Sequence, residues 1–230
     1  MTSEKAIFTA ETFRFFRELK RNNSKAWMDE NRHLYKAHVV EPLRRLLDEL
    51  TPRAQKLHRG FSPSGRTGEN FSRINRDIRF ANDKTPYYTH MYLYLRCDET
   101  LGRPGGQLYV GISDEGVTAG LRIYRESRES AMACICLPRA VENLPWLARQ
   151  RKKFSRKYDC YWYSTEKGKW TKRPGWPRGA KEWKKAKGWI VRKRFSASTA
   201  LRSTFPRDID KVFRHLFPLY SFSSLQQWKP

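Results

Sequence analysis

An α+β fold is the class this sequence predicts, and three observations carry it. Two amphipathic helical patterns open the chain: Phe13, Phe16 and Leu19, then Leu43, Leu46, Leu47 and Leu50. The period then shifts towards two in HMYLYLR (90–96), GQLYVGI (106–112) and GVTAGLRIY (116–124). Helical and strand patterns return in blocks without strict alternation. That order argues for N-terminal helices packed on a mainly antiparallel sheet and against a doubly wound parallel one. With 230 residues, a single globular domain over 1–230 is expected.

Each element follows from local signals. Thr9 can cap the first helix, with Phe8 placed to staple onto Phe13. Asn22-Asn23 makes a turn, and Ser24 caps a second helix carrying Trp27, Leu34 and Tyr35. Pro42 kinks or restarts that helix, so a helical part covers 8–57. HRGFSPSGRTGEN (58–70) is loop by its Gly, Ser and Pro content. The sheet-rich part spans 70–124, with Asp114–Gly116 as a tight turn between its last two strands. From Ser127 to about Gln150 the pattern is helical and interrupted at Pro138. In the segment 149–194, Tyr158–Tyr163 and Trp189–Phe195 read as strands flanking an exposed excursion. A helix over 206–217 closes the chain, with Pro206 in its first turn and Ile209, Val212, Phe213 and Leu216 inward.

Charge narrows the function classes. Lysine and arginine number 47 against 23 aspartates and glutamates, for a net charge of +24 and a pI near 10.2. Residues 149–194 hold 18 basic and 3 acidic residues, interleaved with Trp162, Trp170, Trp176, Trp183 and Trp189. Such a segment offers phosphate contacts and ring faces for unpaired bases, which points to nucleic acid or another polyanion as partner. The candidates are Lys169, Trp170, Lys181, Trp183, Lys184, Lys185, Lys187, Trp189 and Arg192. A solvated basic surface over tryptophans in the core is the competing reading. No apolar run approaches 18 residues and MTSEKAIFTAE lacks a secretory layout, so no transmembrane segment and a cytoplasmic location are expected. The four cysteines are too few for a disulfide scaffold, and Cys134-x-Cys136 has no second knuckle for zinc. Reduced, buried thiols are expected, with no metal and no cofactor.

The stretch SRINRDIRFANDKTPYYTH (72–90) interleaves charge with core-type side chains. As a strand over 71–80 it would place Ile74, Arg76, Ile78 and Phe80 on one face and Arg73, Asn75, Asp77 and Arg79 on the other. Arg76 would then need a carboxylate from elsewhere, such as Asp29 or Glu30. Asp77, beside Arg76 and Arg79, suits the orientation of guanidinium groups better than general-base chemistry. Arg73, Arg76, Asp77, Arg79, Lys84 and His90 therefore form either an ion-pair knot or an anion pocket, the latter in an enzyme or binding protein for a phosphorylated or carboxylated small molecule. No phosphate-cradling glycine loop, HExxH or GxSxG occurs.

RINRDIRFANDKTPYYTH, preceded by FFRELKRNNSKAWMDENRHLY and followed by YVGISDEGVTAGL, resembles the bacterial and fungal family called domain of unknown function 2461. Its motif R-x-x-R-D-x-R-F-x-x-D-K-T-P-Y falls on Arg73, Arg76, Asp77, Arg79, Phe80, Asp83, Lys84, Thr85, Pro86 and Tyr87. Relatives commonly carry lysine where this chain has Tyr88. The resemblance implies one α+β domain over nearly the whole chain and no particular activity.

Overall fold

The computed structural model of the chain describes residues 5–97, 106–124, 136–225 and 228–229. The helices are α1 (Ala10–Arg21), α2 (Lys25–Tyr35), α3 (Glu41–Gln55), α4 (Cys136–Glu142), α5 (Leu144–Phe154), α6 (Gly179–Lys185), α7 (Ala197–Ala200) and α8 (Phe205–Ser224). The strands are β1 (Phe61–Ser62), β2 (His90–Cys97), β3 (Gly106–Ser113), β4 (Gly116–Tyr124), β5 (Asp159–Glu166), β6 (Lys169–Pro174) and β7 (Gly188–Phe195). They form a mainly antiparallel sheet in the order β1-β2-β3-β4-β7-β5-β6. The α+β class and the three strands read at 90–124 stand as expected.

Backbone contacts divide the chain into two compact units. The first comprises Met1–Leu95, Val110–Thr118 and Arg194–Lys211. In it, Thr12 Oγ1 accepts from the Thr9 N–H at 3.2 Å, and Phe8 meets Phe13 edge-on at 6.4 Å. Ser24 Oγ accepts from the Trp27 N–H at 3.2 Å and so caps α2. Phe13, Phe16, Leu19, Leu43, Leu46 and Leu47 are all buried, each worth about 1.5–3 kcal/mol. Trp27 is only half-buried, against Phe15, and Met28 takes the core position on α2. Lys36–Val40 form a π-helical turn ahead of Pro42, which enters α3 in its first turn, where an N–H needs no partner.

The second unit comprises Arg96–Tyr109, Ala119–Lys193 and Val212–Pro230. Strand β5 pairs antiparallel with both β6 and β7. The β5–β6 hairpin closes through Lys167 and Gly168, both at positive φ (49° and 78°), as a two-residue turn between Glu166 and Lys169 requires. The expected excursion between β5 and β7 is thus ordered structure, β6 and α6. Helix α4 runs through Pro138, in its first turn, and the break falls at Asn143 instead. Residues 127–135 of the expected helical pattern, and Cys134, lie outside the described residues.

Ile209, Val212, Phe213 and Leu216 are buried on α8 as the spacing predicts. The helix does not stop at 217 but continues through Pro218 to Ser224. Leu219, Tyr220 and Phe222 beyond the proline are fully buried, and at about 1.5–3 kcal/mol each they outweigh the roughly 3 kcal/mol that an interior proline costs. Cys97 is buried and forms no disulfide. Cys160 is only half-buried, and burial pushes its thiol up to about 11.

Candidate functional site

The stretch 71–80 is not a regular strand. The isolated bridges Thr67–Phe71, Phe71–Leu93 and Asn75–Tyr87 tie it to neighbouring chain in place of a continuous ladder, and a turn covers Arg79 and Phe80. Its side chains pair with one another. Arg76 Nη1 donates to Asp83 Oδ2 at 2.5 Å and to the Thr85 carbonyl at 3.1 Å. Asp83 Oδ1 accepts from the Thr85 N–H at 2.9 Å and its hydroxyl at 2.8 Å. The Thr85 N–H first, then Arg76 and the hydroxyl, lower the Asp83 carboxyl to about 2. Asp77 forks with Arg79, at 3.0 Å to Nε and 2.7 Å to Nη2, and this pairing lowers its pKa. Lys84 Nζ donates to the Ile78 carbonyl at 3.1 Å.

Two expectations fail here. The carboxylate partner of Arg76 is Asp83; Asp29 pairs with Arg32 on its own helix. Asp77 serves Arg79 alone. Short-range partners won because a tight turn brings residues seven apart within reach, which strand spacing cannot. Four of the six proposed pocket residues, Arg76, Asp77, Arg79 and Lys84, are thus bonded inside the loop. Arg73 is exposed. His90 lies between the rings of Tyr88 (5.2 Å) and Tyr92 (5.0 Å), and burial lowers its pKa. Outside the loop, the Asn23 side chain clamps the Tyr87 backbone, donating at 2.8 Å and accepting at 3.0 Å. The loop is a built object, and it leaves Phe80 95% exposed.

The basic segment holds a groove in the second unit, with a volume of about 520 Å³. Trp162, Ser164, Thr165, Glu166 and Arg173 of the β5–β6 hairpin line it, with Lys181, Glu182, Lys184 and Lys185 of α6 and Lys187 beyond. Both carboxylates are committed: Glu166 pairs with Arg173, and Glu182 accepts the Arg178 N–H at 2.5 Å. Arg173 is held further by donating from Nε to Ser164 Oγ at 3.0 Å and by lying over the Trp162 ring at 5.6 Å. Lys181, Lys184 and Lys185, at i, i+3 and i+4, share one face of α6. They and Lys187 have no carboxylate partner among the described residues.

The nine candidates of this segment divide sharply. Lys169, Lys181, Lys184 and Lys185 are exposed, Lys187 is half-buried, and Trp170 keeps 53% of its surface. Trp183 and Trp189 are buried at 3% and 2%, in a cluster with Trp176 whose ring centroids lie 5.1 and 4.4 Å apart. Neither ring can receive a base. Arg192 is tied to Asp159 at 2.9 Å and lies over Tyr161 at 5.0 Å. Alternation explains these losses: the indole faces needed to close the core are interleaved with lysines that point outward. The reading of the tryptophans as core is the one that holds for Trp162, Trp176, Trp183 and Trp189. Missed from sequence were Arg173, Ser164 and Thr165, which only the hairpin register brings to the groove.

A family model described as conserved hypothetical protein (DUF2461) matches residues 11–222. The chain belongs to that family. The DUF2461 match takes in both the charged loop and the basic groove. No curated protein matches the sequence. Among the described residues, no helix is long and apolar enough to cross a membrane, and no cluster of His, Cys, Asp and Glu could hold a metal ion.

Proposed function

We propose that this DUF2461 protein binds nucleic acid through the groove between the β5–β6 hairpin and α6, by backbone phosphate. One observation carries the reading: Lys181, Lys184, Lys185 and Lys187 gather around one groove whose two glutamates are already spent. Like charges at i, i+3 and i+4 cost a helix about 0.2–0.5 kcal/mol per pair, and a polyanion turns that cost into attraction. A nucleic acid also releases counterions on meeting such a surface, a gain that scales with the phosphates neutralised. Trp170 is exposed on the other face of the hairpin, against Tyr163, and takes no part in the groove. The cytoplasm suits this role, and Cys97 and Cys160, neither in a disulfide, fit a reducing compartment.

Fluorescence anisotropy with single- and double-stranded DNA and RNA across a salt series tests the reading. Affinity should fall with salt by about 0.7–0.9 log units per tenfold salt for each phosphate contacted. Reversing Lys184, Lys185 and Lys187 to glutamate should shallow that slope by about one for each lysine that touched phosphate. No binding at low salt sinks the proposal, and equal binding to heparin reduces it to unspecific attraction between opposite charges.

A further inference from the structure

The charged loop of the first unit presents aromatic rings. Phe80 is 95% exposed, the largest exposure among the described bulky apolar residues, and Tyr88 is 40% exposed. Guanidinium groups lie against both rings: Arg79 at 5.9 Å from Phe80 and Arg76 at 5.7 Å from Tyr88. Behind them Tyr88, His90, Tyr92 and Tyr94 alternate along one strand face in successive ring contact at 5.2, 5.0 and 6.0 Å. The Tyr92 ring lies over Gly111 of β3, where an added Cβ would sit 2.7 Å from it. The ion pairs therefore fix a row of rings that ends in an open one. A phenylalanine so exposed adds nothing to the core, while the pairs that hold its loop are numerous. Arg73, on the same loop, is exposed and has no carboxylate among the described residues.

We infer that the loop 72–90 of the first unit is a second surface that stacks unpaired bases of single-stranded nucleic acid on Phe80 and Tyr88, with Arg73 meeting the phosphates. The inference rests on the nucleic-acid reading above and adds both a site and a strand preference. A base offers a flat π face to Phe80 and Tyr88, and its phosphate offers the anion that the surplus arginine requires. A duplex hides its base faces and is not a ligand for this surface.

The test compares a labelled oligothymidylate with a duplex of equal length, for the unmutated protein, Phe80→Ala, Tyr88→Ala, Phe80→Trp and Lys184→Glu/Lys185→Glu. Phe80→Ala should bind oligothymidylate about 5- to 150-fold more weakly at an unchanged salt slope, with duplex affinity and melting temperature unmoved because the ring is in solvent. Phe80→Trp should restore binding. The lysine variant should weaken both ligands and flatten the slope. Photo-cross-linking to a bromodeoxyuridine oligonucleotide should place adducts on Phe80 or Tyr88. Oligothymidylate affinity within twofold of the unmutated protein for both alanine variants overturns the inference, as do adducts confined to other residues. If the lysine variant still loses affinity in that case, the basic groove survives alone. If the unmutated protein binds neither ligand at low salt, both readings fall. Phe80-dependent binding to anionic vesicles with no effect on oligothymidylate also overturns it.

Discussion

Replacing Trp183 by alanine distinguishes a tryptophan that holds the second unit together from one that stacks on bases. The ring is 3% exposed and stands edge-on to Trp189 at 5.1 Å and 87°, and Trp189 in turn meets Trp176 at 4.4 Å. A buried tryptophan takes about 150–250 Å² out of water, worth about 4–6 kcal/mol at about 25 cal/mol per Å². A compact unfolded chain reduces this by about 10–40%, and a buried Trp→Ala change typically costs about 3–5 kcal/mol. For a chain of this size that is a fall of roughly 6–20 °C in melting temperature. Thermal and urea unfolding followed by circular dichroism would measure it, with oligonucleotide affinity determined at a temperature where both proteins are folded. Trp183→Ala should lose stability and keep affinity. Trp189→Ala should behave alike, and the double variant should lose less than the two changes added, since the rings touch. Wild-type unfolding with lost single-strand binding would refute the assignment of these rings to the core.

Four further outcomes follow from the same geometry. Asp83, depressed to about 2 in the folded loop against about 3.9 in an unfolded chain, contributes order that is complete above about pH 4 and lost as pH falls through 2. Protection factors for amide exchange over residues 76–88, each rate divided by the intrinsic rate at the same pH, should stay flat down to about pH 4 and fall below it, and Asp83→Asn should abolish the transition. His90 and His215 are both depressed, His90 by burial and His215 by burial and then by Lys153 and Lys157. Their contribution is therefore present above about pH 6.5 and lost as pH falls through the folded values, so the melting temperature should decline on acidification and decline less in His90→Gln/His215→Gln. Gly120→Ala would set a Cβ 2.3 Å from the Val191 carbonyl oxygen and 2.7 Å from Arg192 Cα, both backbone, and should cost about 1–3 kcal/mol or more in urea unfolding. Gly175→Ala meets open space but a φ of +75°, and should cost about 1–2 kcal/mol through the backbone alone.

The sequence speaks clearly where one period governs a whole element. Phe8, Thr9 and Phe13 announce α1, and the two-residue period of 90–124 announces three strands almost to the residue. It misleads where a long-range gain overrides a local signal. Pro218 is a stop signal by itself, but the burial of Leu219, Tyr220 and Phe222 carries α8 past it. The loop 72–90 misleads for another reason. Alternating Ile74, Arg76, Ile78 and Phe80 mimic a strand, yet Asp83 with Thr85 and Asp77 with Arg79 satisfy one another over two to seven residues. A turn that supplies its own hydrogen bonds needs no sheet partner, so the period of two carries no weight there. The stretch at 72–90 interleaves charge with rings because the charges hold the loop and the rings remain outside.

Arginines and lysines also divide the work of this basic chain unequally. The carboxylates of the described ion pairs go mostly to arginines: Asp29 to Arg32, Glu41 to Arg44, Asp77 to Arg79, Asp83 to Arg76, Asp159 to Arg192 and Glu166 to Arg173. A planar fork that matches a carboxylate on two donors wins that competition over a hydrated ammonium. What stays on the groove are lysines. An ammonium meets phosphate as a point charge, whereas reading a guanine edge in the major groove calls for two donors held in a plane. With Arg173 already engaged, a nucleic acid bound in the groove would meet charge without base discrimination. Binding there should depend steeply on salt and weakly on sequence, and a preference for single strands should follow Phe80 and Tyr88 and not the groove lysines.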